Sequence, residues 1–530
     1  MERERFMVLQ KGVLAVFGKV YSGGLQGIEG YVVQVEADVS DGLPGFHMVG
    51  YLSSEVREAE ERVRTAIKNS GFRLPAKKVT VNLSPANVRK EGTACDLSVA
   101  VAVLVAHGIV PPEALRGSAF LGELGLDGSV KPVRGVLSMV MAMEEAGIVR
   151  CFLPEENVRE GLAVEEVEIV RLCSLKELVG LLNNERHIQR ERLYGQEEKN
   201  TEYMVDFSEV NGQKLIRRAT EVAVAGRHNI LYIGPPGSGK SMIAQRIPTI
   251  MPELSREEQL EVSKVYSICG MLPEGRALLT SRPFRSPHHT ISIQALTGGG
   301  RVPRPGEISL ASTGVLFLDE LSEFQKRTLE TLRQPLEEQK ITVSRARGSF
   351  DFPAQFMLAA ATNPCPCGFY PDRSRCSCTD MQVRRYLGKI SRPLLDRIDI
   401  CVEAAPISYQ DIRQDGENES SAVIRGRIEQ ARLIQQARFQ EEGSQNEGSY
   451  FNSRMKNREI RKYCQLKPED EAFFQEVFTR MRMSARGCHK ILKVARTIAD
   501  LAGEDRIRRE HLSEAVSYRS LEEKYWGKEA

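Results

Sequence analysis

The chain has 530 residues, 41% of them hydrophobic, and its 73 Lys plus Arg against 71 Asp plus Glu leave a formal charge of +2. That length buries more than one core, with about three domains as the natural expectation, and the balanced charge excludes a globally basic nucleic-acid coat. No apolar run approaches the ~20 residues that span a bilayer, and the charged start Met1-Glu-Arg-Glu-Arg5 lacks a secretory pattern, so a cytoplasmic protein without membrane attachment is expected.

Residues 1–184 alternate strand-like runs (Val13 to Val20, Tyr31 to Ala37, Lys78 to Leu83) with helical ones (Ser53 to Asn69, Asp96 to His107, Val136 to Ala146), the pattern of an α+β domain. Residues 185–205 are rich in Asn, Glu, Arg, Gln and Lys and read as a linker. Over 206–406, strands near 230, 315 and 356 separated by helical segments predict a parallel α/β core. Residues 407–530 read as a helix-rich domain, with polar loops at Asp415 to Ser421 and Glu441 to Ser449. The fold class is therefore multidomain α/β.

The second domain carries the chemistry. Gly234, Pro235, Pro236, Gly237, Ser238, Gly239, Lys240 and Ser241 satisfy the eight-residue phosphate-loop pattern between an apolar strand and a helix. Glycines there let backbone N–H groups approach phosphates, and the helix adds its positive N-terminal end. Lys240 is expected to reach the β- and γ-phosphates of ATP, and Ser241 to give Mg²⁺ a hard oxygen ligand. Val315 to Leu318 then runs into Asp319 and Glu320, two acids that a buried strand tolerates poorly without a cation. Asp319 suits Mg²⁺, and Glu320 suits a general base that polarises water. A third strand, Phe356 to Ala361, ends at Thr362-Asn363, where Asn363 can orient the water or γ-phosphate; an Asn closing a strand can equally be a turn residue.

Arginines complete the set. Arg397 can neutralise transition-state charge from a neighbouring subunit, with Arg392 as the alternative and an ion pair to Asp396 or Asp399 as the structural reading. Arg486, near the start of the helix-like run to Leu501, is unfavourable with the helix dipole unless a phosphate accompanies it.

Eleven cysteines in such a chain read as thiols or metal ligands. Cys365, Cys367, Cys376 and Cys378 form two C-x-C pairs that can hold structural Zn²⁺, although this spacing is tighter than usual and reduced loop cysteines are the alternative. His288 and His289 are adjacent, cannot share one face, and so make a poor bidentate metal site; a polar or DNA-facing role is preferred to backbone hydrogen bonding alone. Gln339 to Phe352 reads as a hairpin with a basic tip, where Lys340, Arg345 and Arg347 can track DNA phosphates. The Gly-rich insertion Thr297 to Arg304 can approach the same strand, and mere solvation of an exposed hairpin is the alternative.

With Phe284-Arg-Ser-Pro-His-His289, Thr297-Gly-Gly-Gly300, Pro303-Arg-Pro-Gly-Glu-Ile-Ser-Leu310 and Asn363-Pro-Cys-Pro-Cys-Gly368, these motifs resemble the YifB/ComM family of bacterial magnesium-chelatase-like AAA+ ATPases over nearly the whole chain. The resemblance implies a ring-forming, usually hexameric, ATP-driven motor with a C-terminal helical lid. It also implies action on single-stranded or branched DNA as a helicase promoting branch migration in recombination or natural transformation. A magnesium-chelatase-type motor or a protein-remodelling ATPase is the alternative. Lys90 to Asp96 and Leu121 to Gly128 resemble a Lon-protease-like domain of ribosomal S5 domain 2 type. The positions matching the protease's Ser and Lys are Ala94 and Leu137 here, so a non-proteolytic domain is expected.

Overall fold

The computed structural model describes residues 17–185, 191, 203–273, 275–300, 302–345, 348–406, 418–440 and 451–527. It contains two compact units: Met1–Glu198 with Ser263–Leu279, and Lys199–Val262 with Thr280–Ala530.

The first unit is built on a mixed seven-stranded sheet in the order Gly45–Val49, Lys78–Ser84, Glu29–Ser40, Gly18–Gln26, Ser118–Phe120, Arg150–Pro154, Glu168–Leu172. Lys78–Ser84 alternates exposed or partly exposed positions with buried ones, as a strand with one better-covered face does. Helix Asp96–Ala106 is apolar almost all round and buried at every residue, the signature of a central core helix. Ser53 accepts a hydrogen bond from the Val56 N–H, capping the helical segment that the sequence predicts there. The strand expected at Val13 to Val20 instead spans Gly18–Gln26, where it pairs with Glu29–Ser40 across a tight turn; residues 13–16 lie outside the described residues. The four short strands Gly45–Val49, Ser118–Phe120, Arg150–Pro154 and Glu168–Leu172 were not expected individually, being too short to show a period.

The segment Ser263–Leu279 joins this unit although it lies inside the expected ATPase core. Buried Glu160 explains its anchoring: the carboxylate accepts from the Ser267 hydroxyl and, at 2.7 Å, from the Leu137 N–H.

The second unit has a parallel five-stranded sheet in the order Phe284–Arg285, Val315–Leu318, Met357–Thr362, Ile230–Ile233, Ile400–Glu403. Ile230–Ile233, Val315–Leu318 and Met357–Thr362 are buried at every position, which is why they read as unbroken apolar runs. From Ile230–Ile233 the chain crosses to the edge strand Phe284–Arg285 and returns through Val315–Leu318 and Met357–Thr362, whereas Ile400–Glu403 lies on its other side, so its carboxyl end stands at a switch point where open α/β sheets bind ligands.

Helices Ser421–Gln440, Asn457–Tyr463, Pro468–Arg480, Ala485–Leu501 and Arg509–Trp526 form most of the C-terminal part. Ile428, Ile498 and Tyr518 share one core with Tyr232 and Ile247, so residues on both sides of position 406 pack together. Ser421, expected in a loop, begins a helix, and its buried hydroxyl accepts from the Phe207 N–H at 2.9 Å. The rest of the polar stretches falls mostly outside the described residues. Among those residues, no helix is long and apolar enough to cross a membrane.

Candidate functional site

The phosphate loop leaves Ile230–Ile233 and enters helix Lys240–Ile250. Gly237 and Gly239 adopt φ of +76° and +80°, which only glycine takes without strain, and a Cβ on Gly237 would meet nothing within 4 Å. The loop thus offers bare backbone to an open cradle at a helix N-terminus, the arrangement that accepts phosphate.

Lys240 is 8% exposed and its ammonium donates to the Gly234 and Pro235 carbonyls, both at 2.8 Å, with Asn363 Oδ1 at 3.4 Å. Burial brings its pKa down to about 8, only partly countered by Asp319 and Glu320. Ser241 Oγ donates to Asp319 Oδ2 at 2.6 Å, so the hydroxyl and carboxylate predicted to share Mg²⁺ stand together. Their chemistry, hard oxygens beside a phosphate cradle, fits that ion. Lys240, Ser241, Asp319 and Asn363 thus converge from the loop and two adjacent strand ends.

Glu320 follows Asp319 with φ of +50°, a left-handed conformation that costs a non-glycine residue about 1–3 kcal/mol and concentrates at functional sites. Its N–H donates to Asp319 Oδ1 at 2.9 Å, and its carboxylate is 57% exposed. His289 Nδ1 lies 3.7 Å from Glu320 Oε2. No sequence signal joins these two, because they are distant in the chain and no spacing rule links them. Nor does any signal tie two of the motifs whose residues meet here: Arg285 donates bidentately to Glu307, at 2.7 Å for both bonds. His288 instead turns to Thr290, its Nδ1 2.9 Å from Oγ1.

The arginines lie elsewhere in the unit. Arg397 and Arg486 line one cavity of about 310 Å³ with Arg227, His489, Lys490 and Lys493, and no phosphate-loop residue lines it. Arg397 pairs neither with Asp396 nor with Asp399. Its guanidinium donates to Glu337 Oε1 at 2.5 Å and to the Arg333 carbonyl at 3.1 Å, because helix Arg333–Glu338 packs beside it. Asp399 is held otherwise: burial pushes its carboxyl up, but Lys490 and His228 outweigh this and keep it well below the usual carboxylate range. Arg392, the alternative, donates to the Trp526 carbonyl at 3.2 Å. Arg486 is exposed in the first turn of Ala485–Leu501, which Ser484 caps by accepting from the Gly487 N–H.

The predicted hairpin forms, Lys340–Arg345 pairing antiparallel with Gly348–Pro353. Lys340, however, sits at its base opposite Pro353 and pairs with Asp351 at 2.7 Å, so it does not belong to a basic tip. Arg345 is exposed near the tip, and a Cβ on Gly299 would stand 3.1 Å from its Nη2. The Gly-rich insertion therefore does approach the hairpin; Thr297, Gly298, Arg345 and Arg397 line a common cavity of about 590 Å³. Arg347 lies outside the described residues.

All four clustered cysteines come together. Cys365 Sγ is 3.3 Å from Cys367 Sγ and 3.7 Å from Cys376 Sγ, and the four sulfurs lie within 4.8 Å of one another. The Phe369 N–H leads the influences that bring the Cys367 thiol down to about 6. In the first unit, Leu137 is fully buried and burial raises the Cys95 thiol to about 11, so neither supplies a nucleophile or base.

Family models for the magnesium chelatase subunit ChlI match residues 206–412 and 35–157, and that for the ChlI C-terminal region matches 418–519. Competence protein ComM of Haemophilus influenzae is 37% identical over 509 residues, 95% of this chain and 97% of the relative. The chain belongs to the YifB/ComM family. YifB of Salmonella typhimurium is 39% identical over 505 residues, with the same two coverages. Lon protease of Mycolicibacterium smegmatis is more remote, 26% identical over 162 residues, 29% of this chain and 20% of the protease. Within this YifB/ComM chain, mixed α/β architecture and magnesium-chelatase domains thus go with a site whose residues suit ATP and Mg²⁺.

Proposed function

We propose that this chain is an ATP-hydrolysing, ring-forming AAA+ motor that acts on DNA and promotes branch migration. The observation that carries the reading is the convergence of Lys240, Ser241, Asp319 and Asn363, with Glu320 beside them, on one phosphate cradle. Bound ATP–Mg²⁺ supplies the scissile phosphoanhydride and a cation to neutralise its charge. Lys240 then binds phosphate, Ser241 and Asp319 hold the cation, Asn363 orients, and Glu320 takes a proton from water.

Supporting assembly is the placement of Arg397 and Arg486 along a cavity that no phosphate-loop residue lines. A neighbouring copy would carry them to the next cradle, and a closed hexamer is the expected form. Arg397→Ala is expected to slow hydrolysis in the assembled protein by about 10³-fold. Turnover is measured as the variant is titrated into wild type; mixtures indistinguishable from pure wild type would remove Arg397 from a trans-acting role.

DNA is read as the substrate from the relationship to a competence protein and from Arg345 beside the Gly-rich insertion. Arg345→Ala with Arg347→Ala is expected to weaken DNA binding across sequences and lower the salt slope by about 1–2. Titrations with labelled single strands at several salt concentrations check this. Equal affinity and slope would move the DNA path away from the hairpin.

The first unit is read as a Lon-like, S5-type domain without protease activity, because Ala94 and Leu137 stand where nucleophile and base would. The cysteine cluster is read as a structural zinc clip, and the protein as cytoplasmic. The decisive experiment is migration of a labelled four-way junction by wild type and Glu320→Gln. An unaltered junction during active wild-type hydrolysis would defeat the motor-on-DNA reading. The ChlI family models favour a chelatase-type motor as the second reading, with protein remodelling a third. Stimulation of ATPase activity by unfolded protein but not by forked DNA would select remodelling, and stimulation by neither would favour the chelatase type.

A further inference from the structure

The excursion that carries the cysteines folds onto the phosphate loop. Cys365 lies two residues beyond Asn363, whose Oδ1 is 3.4 Å from Lys240 Nζ. The turn is closed by the Gly368 N–H donating to the Cys365 carbonyl at 3.0 Å, and the Tyr370 N–H donates to Cys365 Sγ at 3.4 Å. Arg375 stacks on Phe369 at 4.0 Å from the ring centre, and Arg373 Nη1 donates to the Cys378 carbonyl at 2.7 Å. Four thiolates about 2.3 Å from one Zn²⁺ stand roughly 3.8 Å apart. The closest sulfur separations here are 3.3, 3.5 and 3.7 Å, so the site is gathered to that scale.

Gly368 links this site to the nucleotide loop. It is buried at φ of +86°, and a Cβ on it would stand 2.4 Å from Pro236 Cδ and 2.9 Å from Pro236 Cγ. The backbone of the cysteine turn therefore rests directly on the tip of the phosphate loop. Three of the four cysteines are buried, while Pro236 and Gly237 are exposed, so the turn is the better-anchored side of this contact.

We propose that Zn²⁺ held by Cys365, Cys367, Cys376 and Cys378 is a positioning element of the nucleotide site: it pins Gly368 against Pro236 and makes nucleotide affinity metal-dependent. This rests on the reading of that loop as the ATP site. Metal loss loosens the turn, and the loop loses the surface that fixes Pro236 and the adjoining Gly237. Gly368 acts through Pro236, not through contact with phosphate.

The test has two independent arms on the full chain. Elemental analysis of protein purified under reducing conditions is expected to give one zinc per chain, and Co²⁺ exchange the intense visible and thiolate charge-transfer absorption of a tetrahedral sulfur site. Mg–ADP binding is then measured calorimetrically for loaded and metal-stripped wild type, Gly368→Ala, Pro236→Ala and the double variant. Stripping, and Gly368→Ala with its zinc retained, are each expected to weaken binding about tenfold or more. In the Pro236→Ala background, where Cγ and Cδ are gone, Gly368→Ala is expected to cost little. A purely local strain at the left-handed Gly368 would weaken both backgrounds equally, and that result overturns the proposal. So does an absence of stoichiometric metal, or stripped protein that binds Mg–ADP as loaded protein does. Loaded wild type that fails to bind Mg–ADP overturns the nucleotide reading and this proposal with it, and the metal measurements still show whether the cysteine site itself exists.

Discussion

Glu320→Gln is expected to bind Mg–ATP as wild type does and to hydrolyse it about 10²–10⁴-fold more slowly, the usual contribution of a positioned general base. The Ser241–Asp319 pair is independent of the Glu320 side chain, so cation binding survives the change. Lys240→Ala is expected to fail one step earlier, with no measurable nucleotide binding, because it deletes the buried cation of the cradle. Equilibrium binding and single-turnover hydrolysis separate the two outcomes. If Glu320→Gln turns over normally, the general base is another group. The pH dependence has a defined sign. Burial lowers Lys240 to about 8, so its ammonium is complete below that value and is lost as pH rises through it. Mg–ADP affinity should therefore fall from pH 8 upward, a loss that begins well before an ordinary lysine would titrate. Flat affinity from pH 7 to 9.5 would contradict this assignment of the phosphate-binding cation.

Asp500→Ala is expected to destabilise the second unit by about 3–5 kcal/mol, the range for removing one partner of a buried ion pair. The Asp500 side chain is fully buried and accepts from Arg438 at 2.5 and 3.0 Å, from Arg496 Nε at 3.0 Å and from Asn452 Nδ2 at 2.7 Å. Arg496 is itself 1% exposed, so truncation leaves a buried cation without its carboxylate, held by the Glu504 and Asp505 carbonyls. The network continues through Asn452 and Thr497 to buried His228, whose Nε2 is 2.8 Å from Thr497 Oγ1, and on to Asp399, two residues from Arg397. It fixes helix Ala485–Leu501 and with it the cavity of Arg397 and Arg486. Chemical denaturation with a probe in the second unit reads the loss, and Asp500→Asn, which keeps an acceptor, should lose less. An unchanged midpoint for Asp500→Ala would show that this network contributes little to stability.

The phosphate loop, the acidic pair after Val315–Leu318 and the cysteine cluster were legible because each is contiguous or nearly so, and its chemistry demands fixed residue types at fixed spacing. Buried parallel strands left their mark as unbroken apolar runs. Helix Asp96–Ala106 was equally plain, since a helix apolar all round has nowhere to go but a core. What could not be read was proximity between distant segments. Lys340 looked like a tip cation until the register set it at the base of the hairpin near Asp351. For Arg397, the structural alternative to a trans-acting role was an ion pair with Asp396 or Asp399, but helix Arg333–Glu338 brings Glu337 to it instead.

By itself the sequence determined the chemical types of the nucleotide cradle, the presence of a four-thiol cluster and the family of the chain. Only the tertiary structure decided that Arg397 and Arg486 share a cavity without the phosphate loop, that His289 faces Glu320, and that Gly368 rests on Pro236. The reason is physical. Local chemistry is fixed by spacing along the chain, whereas these pairings depend on strand register and helix packing, where a shift of one residue or a few ångströms puts a different side chain, or no side chain, in contact.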